Sequence, residues 1–227
     1  MTIEEGRYVK GTMRDYVRDT LKKQIMELKL EPGRFISEKE IMEMLQVSRT
    51  PIREALVQLA QEGLIETIPQ KGSFISPIDL GHVEESRFIR ETLEAAVVRE
   101  ACGKLNAEQL LELQNLIAMQ ELCVQEGNFA RLFDLDEDFH RTMINACGRP
   151  RTWLLLQQMN THYNRLRLLR LADNYAWQLI VAQHQEIADA IRGNRPDEAE
   201  RVLRAHLSRV EDEKEELKLK YPAYFRR

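Results

Sequence analysis

The chain has 227 residues, 43% of them hydrophobic and 31% charged, which is material for two compact domains with real cores. No apolar run approaches the roughly 20 residues that span a bilayer. The first residues, Met1-Thr-Ile-Glu-Glu5, lack the basic and apolar regions of a signal peptide, and three scattered cysteines (Cys102, Cys123, Cys147) exclude a disulfide framework. A cytoplasmic protein with reduced thiols and no membrane partner is therefore expected. Residues 1–77 carry 12 Lys and Arg against 12 Asp and Glu, and residues 78–227 carry 21 against 25. Any affinity for nucleic acid must then rest on where particular arginines sit, because no basic domain exists.

In chain order, Thr12–Leu30 places Val17, Leu21, Ile25 and Leu28 on one helical face, ahead of Pro32-Gly33. Ser37-Glu-Lys-Glu40 is a capping box, predicting a short helix that carries Ile41, Met44 and Leu45 and breaks at Gln46-Val47. Ser48 can cap the next helix, Pro51 is tolerated in its first turn, and Ala55, Leu56 and Leu59 form its buried side. Gly63 ends it. Leu64–Ile68 and Ser73–Ser76 flank Pro69-Gln-Lys-Gly72 and read as a hairpin, with Pro77 as a boundary.

Beyond Asp79 strand signals vanish. Gly103, Gly127, Gly148 and Gly193 each follow an amphipathic stretch, and Pro150 and Pro196 lie near helix starts. The punctuation predicts six helices, roughly 80–102, 107–126, 128–146, 150–171, 174–192 and 196–219. Short connections make their neighbours antiparallel. The expected fold is mainly α: a winged helix-turn-helix over 1–77 and an all-α antiparallel bundle over 78–227.

The second helix of a helix-turn-helix enters the major groove with its N-terminal residues. Here these are Ser48-Arg-Thr-Pro-Ile-Arg53. Arg49 and Arg53, four apart, project from one side, away from Ile52, Leu56 and Leu59. A guanidinium fork matches the O6 and N7 acceptors of guanine, and Ser48 and Thr50 are placed for phosphates near the positive helix end. Lys71 and Gly72 lie at the hairpin tip, where the backbone can approach DNA closely. Two arginines that merely solvate an exposed helix are the plainer alternative. The surroundings decide: Pro32-Gly33, Ser37-Glu-x-Glu40, Val47-Ser-Arg-Thr-Pro-x-Arg-Glu-Ala-Leu56, Leu59-x-x-Glu-Gly-Leu64 and Gly72 closely resemble the GntR family of bacterial regulators. The resemblance covers about residues 14–76. It implies a dimeric winged helix on a pseudo-palindromic, double-stranded operator, with DNA contacts at Lys39, Arg49, Thr50, Arg53 and Gly72 and a phosphate contact at Arg34. Lys39 keeps the charge often supplied there by arginine but lacks the fork.

Four of the five histidines, all but His82, lie beyond residue 139. Asp136 and His140 share a stripe with Phe129, Leu132 and Met143; His184 shares one with Ile180, Ile187 and Ile191; His206 shares one with Leu203, Val210 and Leu217. A lone histidine on an apolar face is ordinarily a core residue. Four inward groups that include a carboxylate call for a partner, and a divalent ion, Zn²⁺ or Ni²⁺ among them, supplies one. His162 sits on a further inward stripe, as a cavity-wall donor or a core residue. Arg90 and the trio Arg165, Arg167 and Arg170 are candidates to clamp a second carboxylate, although Arg167 and Arg170 read better as exposed surface groups. Trp153 and Trp177 read as packing residues. Arg90-x-x-x-Glu94, Asp136-x-x-Phe-His140, His184 and His206 resemble the FCD effector domain of FadR-type GntR regulators, in its VanR-like six-helix branch. That resemblance implies a three-histidine, one-aspartate metal site with open positions, where a small organic acid binds through its carboxylate. The function expected is a transcriptional regulator whose operator affinity responds to such an acid. A metalloenzyme fused to a DNA-binding module is the alternative, weakened by the lack of a further base beside the ligands.

Overall fold

The structure, a computed structural model, describes residues 11–173 and 177–226, with side chains throughout except at 211–213. The chain divides into two units, Met1–Pro77 and Ile78–Arg227. In the first, α1 (Met13–Met26) starts at a capping box between Thr12 and Asp15 and buries Val17, Leu21 and Ile25. It stops short of the expected Leu30 because Leu28 adopts a left-handed φ of 59°, which no helix accommodates. The two-residue strand β1 (Phe35–Ile36) follows, too short for its alternation to show in sequence. In α2 (Glu38–Leu45), Ser37 accepts the Glu40 amide. The reciprocal half of the expected capping box is not made: the Glu40 carboxylate takes the guanidinium of Arg34 at 2.5 Å. Ile41 is buried, whereas Met44 is exposed, and Gln46 closes the helix at φ 56°.

Helix α3 (Arg49–Gln61) buries Ile52, Ala55, Leu56 and Leu59, and Ser48 stands at its N-cap without a side-chain hydrogen bond. Strands β2 (Ile65–Ile68) and β3 (Gly72–Ile75) form the hairpin, and β1 adds to it in the antiparallel order β1-β3-β2. Gly72 has φ +104°, and a Cβ there would stand 2.5 Å from the Phe35 ring. The positive φ favours glycine, and any Cβ would also have to push the half-exposed Phe35 ring aside.

The second unit holds α4 (Leu80–Ala101), α5 (Ala107–Glu126), α6 (Phe129–Ala146), α7 (Pro150–Met159), α8 (Thr161–Ala172), α9 (Trp177–Arg192) and α10 (Pro196–Lys220). These are seven helices among the described residues, where the sequence suggested six. The stretch expected as one helix, 150–171, breaks at Asn160. A single irregular residue hardly disturbs apolar periodicity, so the break leaves no clear trace in the pattern. The expected start of the fifth helix, 174–176, lies outside the described residues. Helix α10 packs on α4 and α9, α5 on α6 and α9, and α8 on α4, α6 and α10. Trp153 and Trp177 are packed into this bundle, and the Trp177 indole donates to the Leu171 carbonyl at 2.8 Å.

The C-terminal end returns to the start of this unit. Phe225 pairs in parallel with Ile78. The Ile78 amide donates to the Tyr224 carbonyl at 2.7 Å, and the Arg226 amide donates to the Ile78 carbonyl at 2.9 Å. Arg226 also reaches the Asp79 carboxylate. Both Ile78 and Phe225 are buried. Phe225→Ala should therefore destabilise the helical unit by roughly 3 kcal/mol. A thermal melt following α-helical signal should show the loss, with the first unit's transition unchanged.

A candidate DNA-reading face and a candidate metal centre

The apolar side of α3 is held by the first unit's core, so its other side must face outward. Arg49, Thr50 and Arg53 are exposed there, with Ser48 just before them. Arg53 donates through Nε to Glu38 Oε1 on α2 at 2.7 Å. Arg34 and Lys39 are also exposed, the first paired with Glu40 and the second 3.8 Å from Glu43. Lys71 is exposed in the β2–β3 turn, beside Gly72 and after Gln70 at φ 64°.

The helical unit has a different chemistry. Asp136, His140, His184 and His206 each offer a ligand atom, and these atoms lie within 4.8 Å of one another. All four residues are buried. Asp136 and His140 come from α6, His184 from α9 and His206 from α10. Asp136 Oδ1 lies 3.6 Å from His184 Nε2 and 3.9 Å from His206 Nε2, and its Oδ2 lies 3.8 Å from His140 Nε2.

The outer nitrogens of two rings are committed. His140 Nδ1 meets Glu94 Oε2 at 2.5 Å. His184 Nδ1 donates to Gln120 Oε1 at 2.7 Å, while Gln120 Nε2 is tied to the Leu135 carbonyl. In neutral imidazoles these bonds put the protons on Nδ1 and turn the Nε2 lone pairs inward, the arrangement metal-ligating histidines use. His184 Nε2 is buried without a hydrogen-bond partner, and His140 Nε2 faces His206 Nε2 at 3.3 Å. Converging lone pairs without enough protons fit a cation, and three imidazoles with one carboxylate suit Zn²⁺ or Ni²⁺. Burial, with the charges of its neighbours, pushes the His184 imidazole down to about 3 and His206 well below its usual range. Both are neutral at physiological pH, as ligation requires.

A charged network surrounds the cluster. Arg90, wholly buried, donates to Glu94 Oε1 at 2.6 Å and to Glu137 Oε1 at 2.9 Å. Arg167 on α8 donates to Glu137 at 2.6 Å, to Asn164 at 3.0 Å and to Asp136 Oδ2. Burial alone would raise the Asp136 carboxyl, yet the charge of Arg167 above all holds it well below the usual carboxylate range. Arg167 and Arg170 are thus not the surface groups their spacing suggested: both are buried, and both line a cavity of about 20 Å³ with Tyr163, Asp136 and His206. That is room for one water-sized group.

The other residues singled out for an acid lie elsewhere. Arg165 is buried outside the cavity lining. His162 accepts the Asp79 amide through Nδ1 at 3.2 Å and packs edge-on to His82. On α8 a step of one or two residues rotates a side chain by about 100° or 200°, so Tyr163, Arg167 and Arg170 share the cavity face and His162 and Arg165 do not. Arg90 spends two guanidinium nitrogens on the chain's own carboxylates. Gln120, Glu137 and Tyr163 escaped sequence reasoning. Gln120 had a signal: it interrupts the buried series Leu113, Ile117, Cys123 on α5. Glu137 had none, standing in the acidic run Asp136-Glu-Asp138.

An exposed arginine-bearing helix in a winged unit, joined to a helical unit with a buried polar interior, is the architecture of a DNA-binding transcriptional regulator. Residues 14–75 match the model for bacterial regulatory proteins of the gntR family, and residues 85–209 match the FCD domain. The chain belongs to the GntR family, as a FadR-like regulator with an FCD domain. It is 33% identical over 205 residues to an uncharacterised HTH-type transcriptional regulator in an unstable DNA locus of Streptomyces ambofaciens, covering 90% of this chain and 86% of that one. It is 27% identical over 212 residues to the HTH-type transcriptional repressor RspR of Escherichia coli, covering 93% of each. Among solved structures, E. coli McbR/YncC shares the fold with a TM-score of 0.74 at 20% identity, covering 93% of this chain and 99% of that chain. Among the described residues no helix is long and apolar enough to cross a membrane.

Burial, and next the charge of Arg165, pushes the His162 imidazole down to about 4 from its ordinary 6.5. A histidine depressed in the folded state takes up a proton on unfolding. Its stabilisation is whole above pH 6.5 and is lost as pH falls toward 4. His162→Asn keeps an acceptor for the Asp79 amide and cannot titrate, so it should flatten part of the decline in melting temperature across that window. An unchanged slope would show that His162 is not among the groups responsible.

Proposed function

We propose that the chain is a cytoplasmic, homodimeric repressor that binds a pseudo-palindromic operator and responds to a small organic acid. The observation that carries this reading is the buried convergence of Asp136, His140, His184 and His206. These residues would hold a divalent ion, Zn²⁺ or Ni²⁺, which when bound supplies an electrophilic anchor for a carboxylate. Arg90 and Arg167 are paired with Asp136, Glu94 and Glu137 around the cluster. Arg167 and Arg170 line the same cavity and can take a second carboxylate.

The cavity is too small for an organic acid as it stands, so entry requires side chains of α8 or α10 to give way. A ligand that binds one arrangement of these helices better than the other shifts the population between them, which is the route proposed from acid to operator affinity. In the first unit Arg49 and Arg53 read bases, Arg34, Lys39, Ser48 and Thr50 hold phosphates, and Lys71 and Gly72 bring the wing to the backbone. The relative RspR, named a repressor, supports the sign of regulation, and a pseudo-palindromic operator would be bound by two copies related by a two-fold axis.

Arg49→Ala and Arg53→Ala should each cost about 1–3 kcal/mol of operator binding and relax preference at one base pair. Lys71→Ala should weaken all sequences evenly and flatten the salt dependence. His184→Ala and His206→Ala should lower metal content by elemental analysis and lower thermal stability, since a metal bound only by the folded state stabilises it. Both variants should bind operator but lose the response to a panel of carboxylic acids. Unchanged metal content and unchanged response would reject the effector mechanism.

A further inference from the structure

Helix α2 does not carry the recognition arginines, yet its first residue faces them. Glu38 is partly buried against α3, and its Oε1 accepts Arg53 Nε at 2.7 Å across the turn of the helix-turn-helix. The hydrogen bond is made by Nε, and among the described residues Glu38 is the carboxylate paired with Arg53. A guanidinium held at Nε is restrained in plane and direction, with its two Nη groups at the far end of the side chain. The Arg53 hydrogen bond, helped by the charges of Arg53 and Arg49, holds the Glu38 carboxyl below its usual range, so the carboxylate is ionised and near both arginines.

An exposed ion pair of this kind contributes little to folding stability. Its consequence for recognition is larger. Arginine has many rotamers, and a base reader already held in one direction loses less of that freedom on meeting guanine. A carboxylate beside the groove also repels phosphates, which penalises every complex in which the arginine does not reach its base. Glu38 can therefore sharpen discrimination while lowering non-specific affinity.

We propose that Glu38 is a positioning residue for operator recognition, holding Arg53 by Nε so that its Nη fork meets a guanine in the major groove. This rests on Arg53 being a base reader, and the test separates the two claims. A duplex selected by the full-length protein from a randomised library serves as operator, and Arg53→Ala identifies the base pair that Arg53 reads. Glu38→Ala should then lower preference at that same base pair by about 5- to 10-fold, part of what a bidentate contact provides, and raise affinity for unrelated duplex. Glu38→Gln, which keeps an acceptor oxygen for Nε, should retain most of the base preference while sharing the gain in non-specific binding. Adding Glu38→Ala to Arg53→Ala should cost no further preference, because both changes act through one contact. If Arg53→Ala leaves every base preference intact, Arg53 is not a reader and the underlying assignment fails. If Arg53→Ala abolishes a preference that Glu38→Ala leaves whole, or if Glu38→Gln loses as much as Glu38→Ala, the positioning role is overturned. Circular dichroism and melting temperature of each variant distinguish these outcomes from a damaged fold.

Discussion

The helical unit is organised around the cost of keeping the Asp136 carboxylate out of water. An unpaired buried charge is worth several kcal/mol of destabilisation, so a carboxylate at this depth commits its neighbours. Arg167 answers it directly, Glu137 balances Arg167, and Arg90 balances Glu137 and Glu94 together. Glu94 in turn orients His140. Tyr163 lies within cation–π range of both guanidiniums. Five helices, α4, α6, α8, α9 and α10, are therefore joined through polar contacts or a shared polar wall, where an ordinary bundle would use leucine alone.

Such an interior is suited to a ligand-responsive element. Removing one charge disturbs every group it bridges, whereas an apolar core tolerates gradual repacking. Arg167 stands where this matters most, since it touches a candidate metal ligand and lines the cavity. A carboxylate that draws Arg167 from Asp136 would exchange one anion for another at the same guanidinium. The helix that carries Arg167 also carries His162, which accepts the amide of Asp79 two residues past the end of the first unit. Cavity and chain entry are thus linked along one short helix.

The first unit follows a contrasting economy. Its core is apolar throughout, from Val17 to Ile75, and its charges stay at the surface as pairs: Arg53 with Glu38, Arg34 with Glu40, Lys22 with Glu62. Residues 1–77 carry equal numbers of basic and acidic side chains. Acidic partners reduce indiscriminate attraction to phosphate, leaving specificity to a few directed groups.

Much of this was legible in the amino-acid order. Periodicity, caps and glycines located α1 to α6, and the resemblance around Ser48–Arg53 pointed to α3 as the candidate recognition helix, because those signals are local and 3.6-residue repeats announce a buried face. Asp136, His140, His184 and His206 each declared themselves as polar groups on apolar stripes. What needed the tertiary structure was everything set by rotation or by distant pairing. The α7–α8 break at Asn160, the burial of Arg167 and Arg170, and the exclusion of Arg165 and His162 from the cavity depend on the angle at which α8 packs, which periodicity over ten highly buried residues cannot report. The partners Glu38 for Arg53, Glu40 for Arg34 and Gln120 for His184 are 15, 6 and 64 residues away. The sequence by itself determined which side chains had to be satisfied; which group satisfies each was decided only when the helices packed, because a buried charge accepts whatever counterpart the fold brings within reach.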